Sequence, residues 1–197
     1  MSGLVLASYS AARRAVLGGA GVPYQATGSG VDEDAAKAEL LARGATARQV
    51  AEALAEAKAL AVSADRPDWV VGADQTLELD GRLYDKAQSL EEARGRLKAL
   101  RGKSHQLHSA VVVARGGAAV WRTTESATLT MRDFSDAFLE AYLAEEGEAA
   151  LGSVGCYRLE GPGLQLFAGI EGDYFTILGL PMLGLLDLLR AEGVLAS

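Results

Sequence analysis

The chain has 197 residues, 49% of them hydrophobic, enough to bury one sizeable core, so a single domain over residues 1–197 is expected. A formal net charge of −7 sets the overall field against polymeric nucleic acid and anionic membranes, although a few converging Lys and Arg can still hold a small anion. One cysteine, Cys156, excludes an internal disulfide framework or zinc knuckle. Together with an uncharged amino-terminal stretch and an apolar carboxy-terminal run broken by Asp173, Pro181 and Asp187, this leads to the expectation of a cytoplasmic protein.

The short apolar run Leu4-Val5-Leu6, then Ser8-Tyr9-Ser10 and Arg13-Arg14-Ala15-Val16-Leu17, reads as strand, tight loop and helix. Such a helix start offers unpaired N–H groups to an anion, and Arg13 and Arg14 have the guanidinium fork that suits phosphate. Gly18-Gly19-Ala20-Gly21 reads as the stop of that helix. Asp32-Glu33-Asp34 reads as a wet loop of carboxylates, of the oxygen type that can hold Mg²⁺.

Thr46 and Gln49 have capping-box spacing, and a helix is predicted from Ala47 to about Ser63, carrying Lys58 and stopped before Pro67. Trp69-Val70-Val71 reads as a buried strand that ends at Gly72-Ala73-Asp74-Gln75. A carboxylate in that position needs a partner or a chemical task, which singles out Asp74. Gln75 beside it has two roles open to it, reading a base edge or hydrogen-bonding the turn.

Leu77 and Leu79, the Asp80-Gly81 turn and Arg82-Leu83-Tyr84 make a hairpin, with Lys86 at its exit. Ser89 and Glu92 form a second capping-box spacing ahead of a helix with Leu90, Ala93, Leu97 and Leu100 on one face, stopping at Gly102. A long hairpin is predicted from His105–Ala114 and Ala118–Thr130 through Gly116-Gly117. His105 and His108, three apart on a strand, face opposite sides and make no metal clamp.

A helix capped by Ser135 follows, then strand fragments at Tyr157–Leu159, Leu164–Phe167 and Tyr174–Ile177, and a last helix opened by Pro181. The fold class is therefore mixed α/β with long antiparallel strands. Neither GxxxxGK[ST] nor an early GxGxxG is present, and no GxSxG supports a serine hydrolase.

The ordered series Leu4-Val5-Leu6-Ala7-Ser8-Tyr9-Ser10 with Arg13-Arg14, Val31-Asp32-Glu33, Ala57-Lys58-Ala59, Gly72-Ala73-Asp74-Gln75, Lys86 and Gly102-Lys103-Ser104-His105 resembles the Maf family. The likeness continues through Gly161, Gly172-Asp173-Tyr174 and Gly179-Leu180-Pro181 and covers essentially the whole chain. It implies an elongated mixed α/β fold of two lobes around a central cleft, related to the inosine-triphosphate pyrophosphatases. It also implies hydrolysis of a nucleoside triphosphate to monophosphate and pyrophosphate, a divalent cation (Mg²⁺ or Mn²⁺), and a homodimer. Some members of the family are linked to restraint of cell division.

By position, the resemblance makes Asp74 the proton acceptor for the attacking water and a metal ligand with Glu33. It makes Ser8, Arg13, Lys58 and Lys86 the groups that line the triphosphate site. Gln75 and Glu160 resemble the branch that prefers 7-methyl-GTP, with Glu160 either accepting from the guanine N1–H and 2-amino group or attracting the positive charge of an N7-methylated ring. Ala12 departs from the large residue usual at a place tied to base selection. The competing readings are a nucleotide-binding regulator of cell division that hydrolyses little, and an inosine/xanthosine-triphosphate pyrophosphatase.

Overall fold

The computed structural model describes residues 3–196. In chain order the strands are β1 (Leu4–Leu6), β2 (Gln25–Ala26), β3 (Trp69–Leu79), β4 (Arg82–Tyr84), β5 (Ser104–Arg115), β6 (Ala118–Met131) and β7 (Phe167–Glu171). The helices are α1 (Ala11–Gly19), α2 (Glu33–Ala42), α3 (Ala47–Ser63), α4 (Leu90–Leu100), α5 (Asp136–Glu146), α6 (Tyr174–Ile177) and α7 (Leu183–Ala191). The strands form one mixed sheet in the order β2-β1-β3-β5-β6-β7, with β4 also paired to β3. β1 runs parallel to both β2 and β3, whereas β4 is antiparallel to β3 and β7 to β6.

Two compact units are distinguished. The first comprises residues 1–75, 108–126 and 173–197, and the second residues 76–107 and 127–172. In the first, strand alternation sorts the core into two layers. Leu4, Leu6, Trp69, Val71, Ala73, Val111 and Val113 join Val16 and Leu17 of α1 and Leu185 and Leu189 of α7 in one cluster. Residues of the opposite parity, Ala110, Val112 and Ala114, pack on Ala51, Ala55 and Ala59 of α3. Those three alanines recur every fourth residue, so they form one stripe along the helix.

The contact of α3 with the sheet is close enough to demand glycine. A Cβ at Gly72 would lie 2.2 Å from the Ala55 carbonyl oxygen and 2.5 Å from the Ala59 nitrogen. The Thr46–Gln49 capping box is formed in both directions, the Thr46 hydroxyl accepting from Gln49 N–H and Gln49 Oε1 from Thr46 N–H.

In the second unit, His105 Nε2 meets the Tyr157 hydroxyl at 2.6 Å, and the Tyr157 ring stacks edge-on against Phe167. Burial pushes the His105 imidazole down to about 4 and holds the Tyr157 phenol well above its ordinary value. Arg158 grips the buried Glu146 carboxylate with Nε and Nη2 at 2.7 and 3.0 Å.

Four local expectations change. Residues 33–42 are helical rather than loop, because Asp32 caps them by accepting from Ala35 N–H at 3.0 Å. Strand β3 does not end at Gly72 but runs on through Asp74 to Leu79. The stretch 157–159 is not a strand, residues 162–166 form a 3-10 helix, and β7 begins only at Phe167. Tyr174–Ile177 is a helix, since Asp173 takes the Thr176 N–H at 3.0 Å and closes a turn there.

Two further details differ. Glu92 accepts from Gln88 N–H rather than completing a box with Ser89, and α7 starts at Leu183, just beyond Pro181. No helix among the described residues is long and apolar enough to cross a membrane.

Candidate functional site

The carboxyl ends of the parallel strands β1 and β2 and the adjoining part of β3 gather the chemistry of the first unit. Beyond Leu6 the chain turns through Ser8 into α1; beyond Ala26 it runs through 27–32 into α2; and β3 carries Asp74 three residues past its pairing with β1. In sheets with parallel strands, ligands settle outside such ends.

Asp74 shares the parity of Val70 and Gly72, so it points to the α3 side, where Lys58 waits. Lys58 Nζ lies 2.8 Å from Asp74 Oδ1 and 2.8 Å from Glu33 Oε2. Lys58 is 5% and Asp74 7% exposed, while the Glu33 side chain is 46% exposed. A buried ammonium between two carboxylates offsets its own desolvation and that of Asp74, and removal of Lys58 leaves the buried Asp74 carboxylate without this partner.

Arg13 comes from the first turn of α1, where Ser10 is the cap. Its Nε donates to the Gly179 carbonyl at 2.9 Å and its Nη1 to Ser8 Oγ at 3.3 Å. Ser8 Oγ also accepts from Ser10 N–H at 3.2 Å, so the hydroxyl proton remains for an incoming oxygen. Burial pulls the Arg13 guanidinium below the ordinary arginine value, opposed by the charges of Asp74 and Glu33. Arginine stays cationic under such conditions, and the N–H groups not held by Gly179 and Ser8 remain for phosphate oxygens.

Ser8, Arg13, Glu33, Lys58 and Asp74 are thus brought together in one unit. Ala12 lies beside Arg13 at the start of α1 and is half-buried. Lys86 and Glu160 belong to the second unit, where Lys86 follows β4 and Glu160 precedes Gly161; both are exposed. Gln75 takes the opposite parity to Asp74 and turns its amide inward, onto Ser109 and the carbonyls of Thr176 and Ile177.

Sequence reasoning missed Ser109, Thr176 and Gly179 as participants. Ser109 carries no signal beyond one polar residue in an apolar strand. The segment around Thr176 was flanked by Gly172-Asp173-Tyr174 and Gly179-Leu180-Pro181 of the family resemblance, and the spacing of Asp173 to Thr176 is that of a cap.

Glu33 and Asp74 also present the hard oxygens that Mg²⁺ or Mn²⁺ takes. No group of three or more His, Cys, Asp or Glu able to hold a metal is found among the described residues. One or two carboxylates are what Mg²⁺ usually takes from the protein in phosphate-handling sites.

An acidic pair bridged by a buried lysine, with an arginine at a helix start close enough to feel both acids, is a set of groups able to hold a phosphate compound. The family model described as Maf-like protein matches residues 3–192. A Caulobacter vibrioides protein named nucleoside triphosphate pyrophosphatase is 62% identical, over 98% of this chain and 96% of its own length. Proteins named 7-methyl-GTP pyrophosphatase from Brucella abortus and Rhizobium meliloti are 50% and 49% identical, each over 96% or more of both chains. The chain belongs to the Maf family.

Proposed function

We infer that the chain hydrolyses nucleoside triphosphates to the monophosphate and pyrophosphate, with Asp74 accepting the proton of the attacking water. The observation that carries this reading is the Lys58 ammonium held at 2.8 Å from both Asp74 and Glu33, with Arg13 fixed at the adjoining helix start. The relatives named nucleoside triphosphate pyrophosphatase support the same reaction.

Hydrolysis forms a bond from a water oxygen to the α-phosphorus and breaks the bond from that phosphorus to the bridging oxygen, so pyrophosphate leaves. The water proton passes to Asp74 Oδ2, the oxygen that Lys58 does not hold, and Lys58 keeps the carboxylate oriented through Oδ1. Arg13, Ser8 and Lys58 offer donors to the non-bridging oxygens, where charge gathers in the transition state. Glu33 and Asp74 are the residues to hold a divalent cation, which when bound neutralises phosphate charge and polarises the phosphoryl oxygens.

The relatives named 7-methyl-GTP pyrophosphatase favour a guanine base, and the exposed Glu160 carboxylate supplies the acceptor that guanine N1–H and the 2-amino group require. A base without those donors leaves the carboxylate unpaired, which is how one group discriminates.

The test is pyrophosphate release with Mg²⁺ and with Mn²⁺ from 7-methyl-GTP, GTP, dTTP, UTP and ITP, beside Asp74→Asn. Release is expected to fall about a thousandfold in Asp74→Asn, the scale of lost general-base catalysis. Near-native turnover in that variant would remove Asp74 from its role, and equal rates across the panel would remove the guanine preference. Nucleotide binding without any release would support a regulator instead.

A further inference from the structure

Glu146 closes α5, where the carbonyl end of a helix disfavours a carboxylate, and its side chain is only 2% exposed. A negative group in such a place needs a cation held firmly against it. Arg158 supplies it as a fork, with Nε on Oε2 at 2.7 Å and Nη2 on Oε1 at 3.0 Å.

The exposed Glu160 lies two residues beyond Arg158, and the chain that follows it comes back to the same arginine. The Gly161 N–H donates to the Arg158 carbonyl at 3.4 Å. A Cβ on Gly161 would lie 3.4 Å from Glu146 Oε1 and 3.7 Å from Arg158 Nη2, so the residue next to Glu160 rests against the ion pair itself. A Cβ on Gly163 would lie 2.5 Å from the Arg158 carbonyl oxygen and 2.8 Å from its nitrogen, an approach open only to glycine. The Leu164 N–H then bonds the Gly161 carbonyl at 3.1 Å. The Arg158 guanidinium is held above the ordinary arginine value, first by its hydrogen bond to Glu146 and, among smaller causes, by the charge of Glu160. One arginine therefore feels both acids and touches the chain on both sides of Glu160.

We propose that Arg158 is a positioning residue for base selection: forked onto Glu146, it fixes the 158–163 turn so that the Glu160 carboxylate meets the base in one place. Arg158 acts through Glu160 and leaves the phosphates to other groups. The proposal rests on the reading of Glu160 as the acceptor for guanine.

The experiment compares Arg158→Lys, Glu160→Gln and the double variant. It reads kcat/KM for GTP and UTP, and the inhibition constant of inorganic tripolyphosphate, which has no base. Lysine keeps the charge of Arg158 but not its fork. Arg158→Lys is expected to lower the preference for GTP over UTP about tenfold, to leave tripolyphosphate inhibition unchanged and to add nothing to the loss in Glu160→Gln. The paired change Glu146→Gln with Arg158→Gln, which leaves no buried charge unpaired, is expected to give the same pattern and serves if Arg158→Lys does not fold.

A wild-type preference in Arg158→Lys, a weakening of tripolyphosphate as large as that of GTP, or a loss that adds fully to that of Glu160→Gln would overturn the proposal. A wild-type protein indifferent between GTP and UTP, or Glu160→Gln with undiminished preference, would instead end the guanine reading of Glu160. The hold of Arg158 on the turn would then be read from hydrogen exchange at the Gly161 and Leu164 amides, faster exchange in Arg158→Lys supporting it and unchanged exchange refuting it.

Discussion

Replacing Gly72 by alanine tests whether the closeness of α3 to β3 is what creates the site. The added methyl carbon would stand 2.2 Å from the Ala55 carbonyl oxygen, 2.5 Å from the Ala59 nitrogen and 2.8 Å from the Ala59 Cβ. Two of these are backbone atoms in the middle of a 17-residue helix, so no side chain can swing aside. Since non-bonded heavy atoms settle at about 3.5 Å, α3 must retreat by about 1 Å.

Overpacking of this kind costs about 3 kcal/mol, toward the upper part of its usual range. Lys58 rides on the displaced turn, immediately before Ala59, and its 2.8 Å contact with Asp74 opens with it. A displacement of that size is expected to lower kcat by about a hundredfold. Urea denaturation gives the stability, and pyrophosphate release at saturating substrate gives kcat. A Gly72→Ala protein with wild-type stability and wild-type kcat would refute the account of why the glycine is there.

Two further outcomes concern the second unit. The His105 imidazole titrates at about 4 in the folded chain because it is buried, against 6.5 in the unfolded one, so the unfolded state takes up the proton first. Stability is complete above pH 6.5 and falls as the pH drops toward 4, by up to roughly 3 kcal/mol. His105→Gln should flatten that part of a stability–pH profile, and identical acid limbs in the two proteins would count against it. The Cys156 thiol is buried and pushed up by that burial, so a thiol reagent should leave the native protein untouched and titrate a single group after denaturation. Prompt labelling of the native protein would contradict this.

Much of the chain was legible locally. Thr46, Ser89 and Ser135 each cap the helix they were expected to cap, since a cap hydrogen bond spans only three residues. The Gly116-Gly117 hairpin and the extent of α3 followed for the same reason, as turn chemistry and helix propensity act within one or two turns of chain. Asp74 stood out because a carboxylate inside an apolar strand is costly unless answered. Asp32, by contrast, was read as one of three loose acids, although its side chain caps α2 and sets Glu33 in the first turn facing Lys58.

Residues 174–177 looked extended from their β-branched and aromatic composition, but the Asp173 cap and the carbonyls gripped by Gln75 and Ser109 hold them as a helical turn. Composition and spacing by themselves determined the α/β class and most element positions, and singled out Asp74 as a carboxylate in a buried strand, because these depend on neighbours in the chain. Tertiary structure alone decided that Lys58 bridges Asp74 and Glu33 and that Gln75 turns away from them. Both depend on which strand faces carry which helices, and that is settled by contacts between residues up to a hundred positions apart.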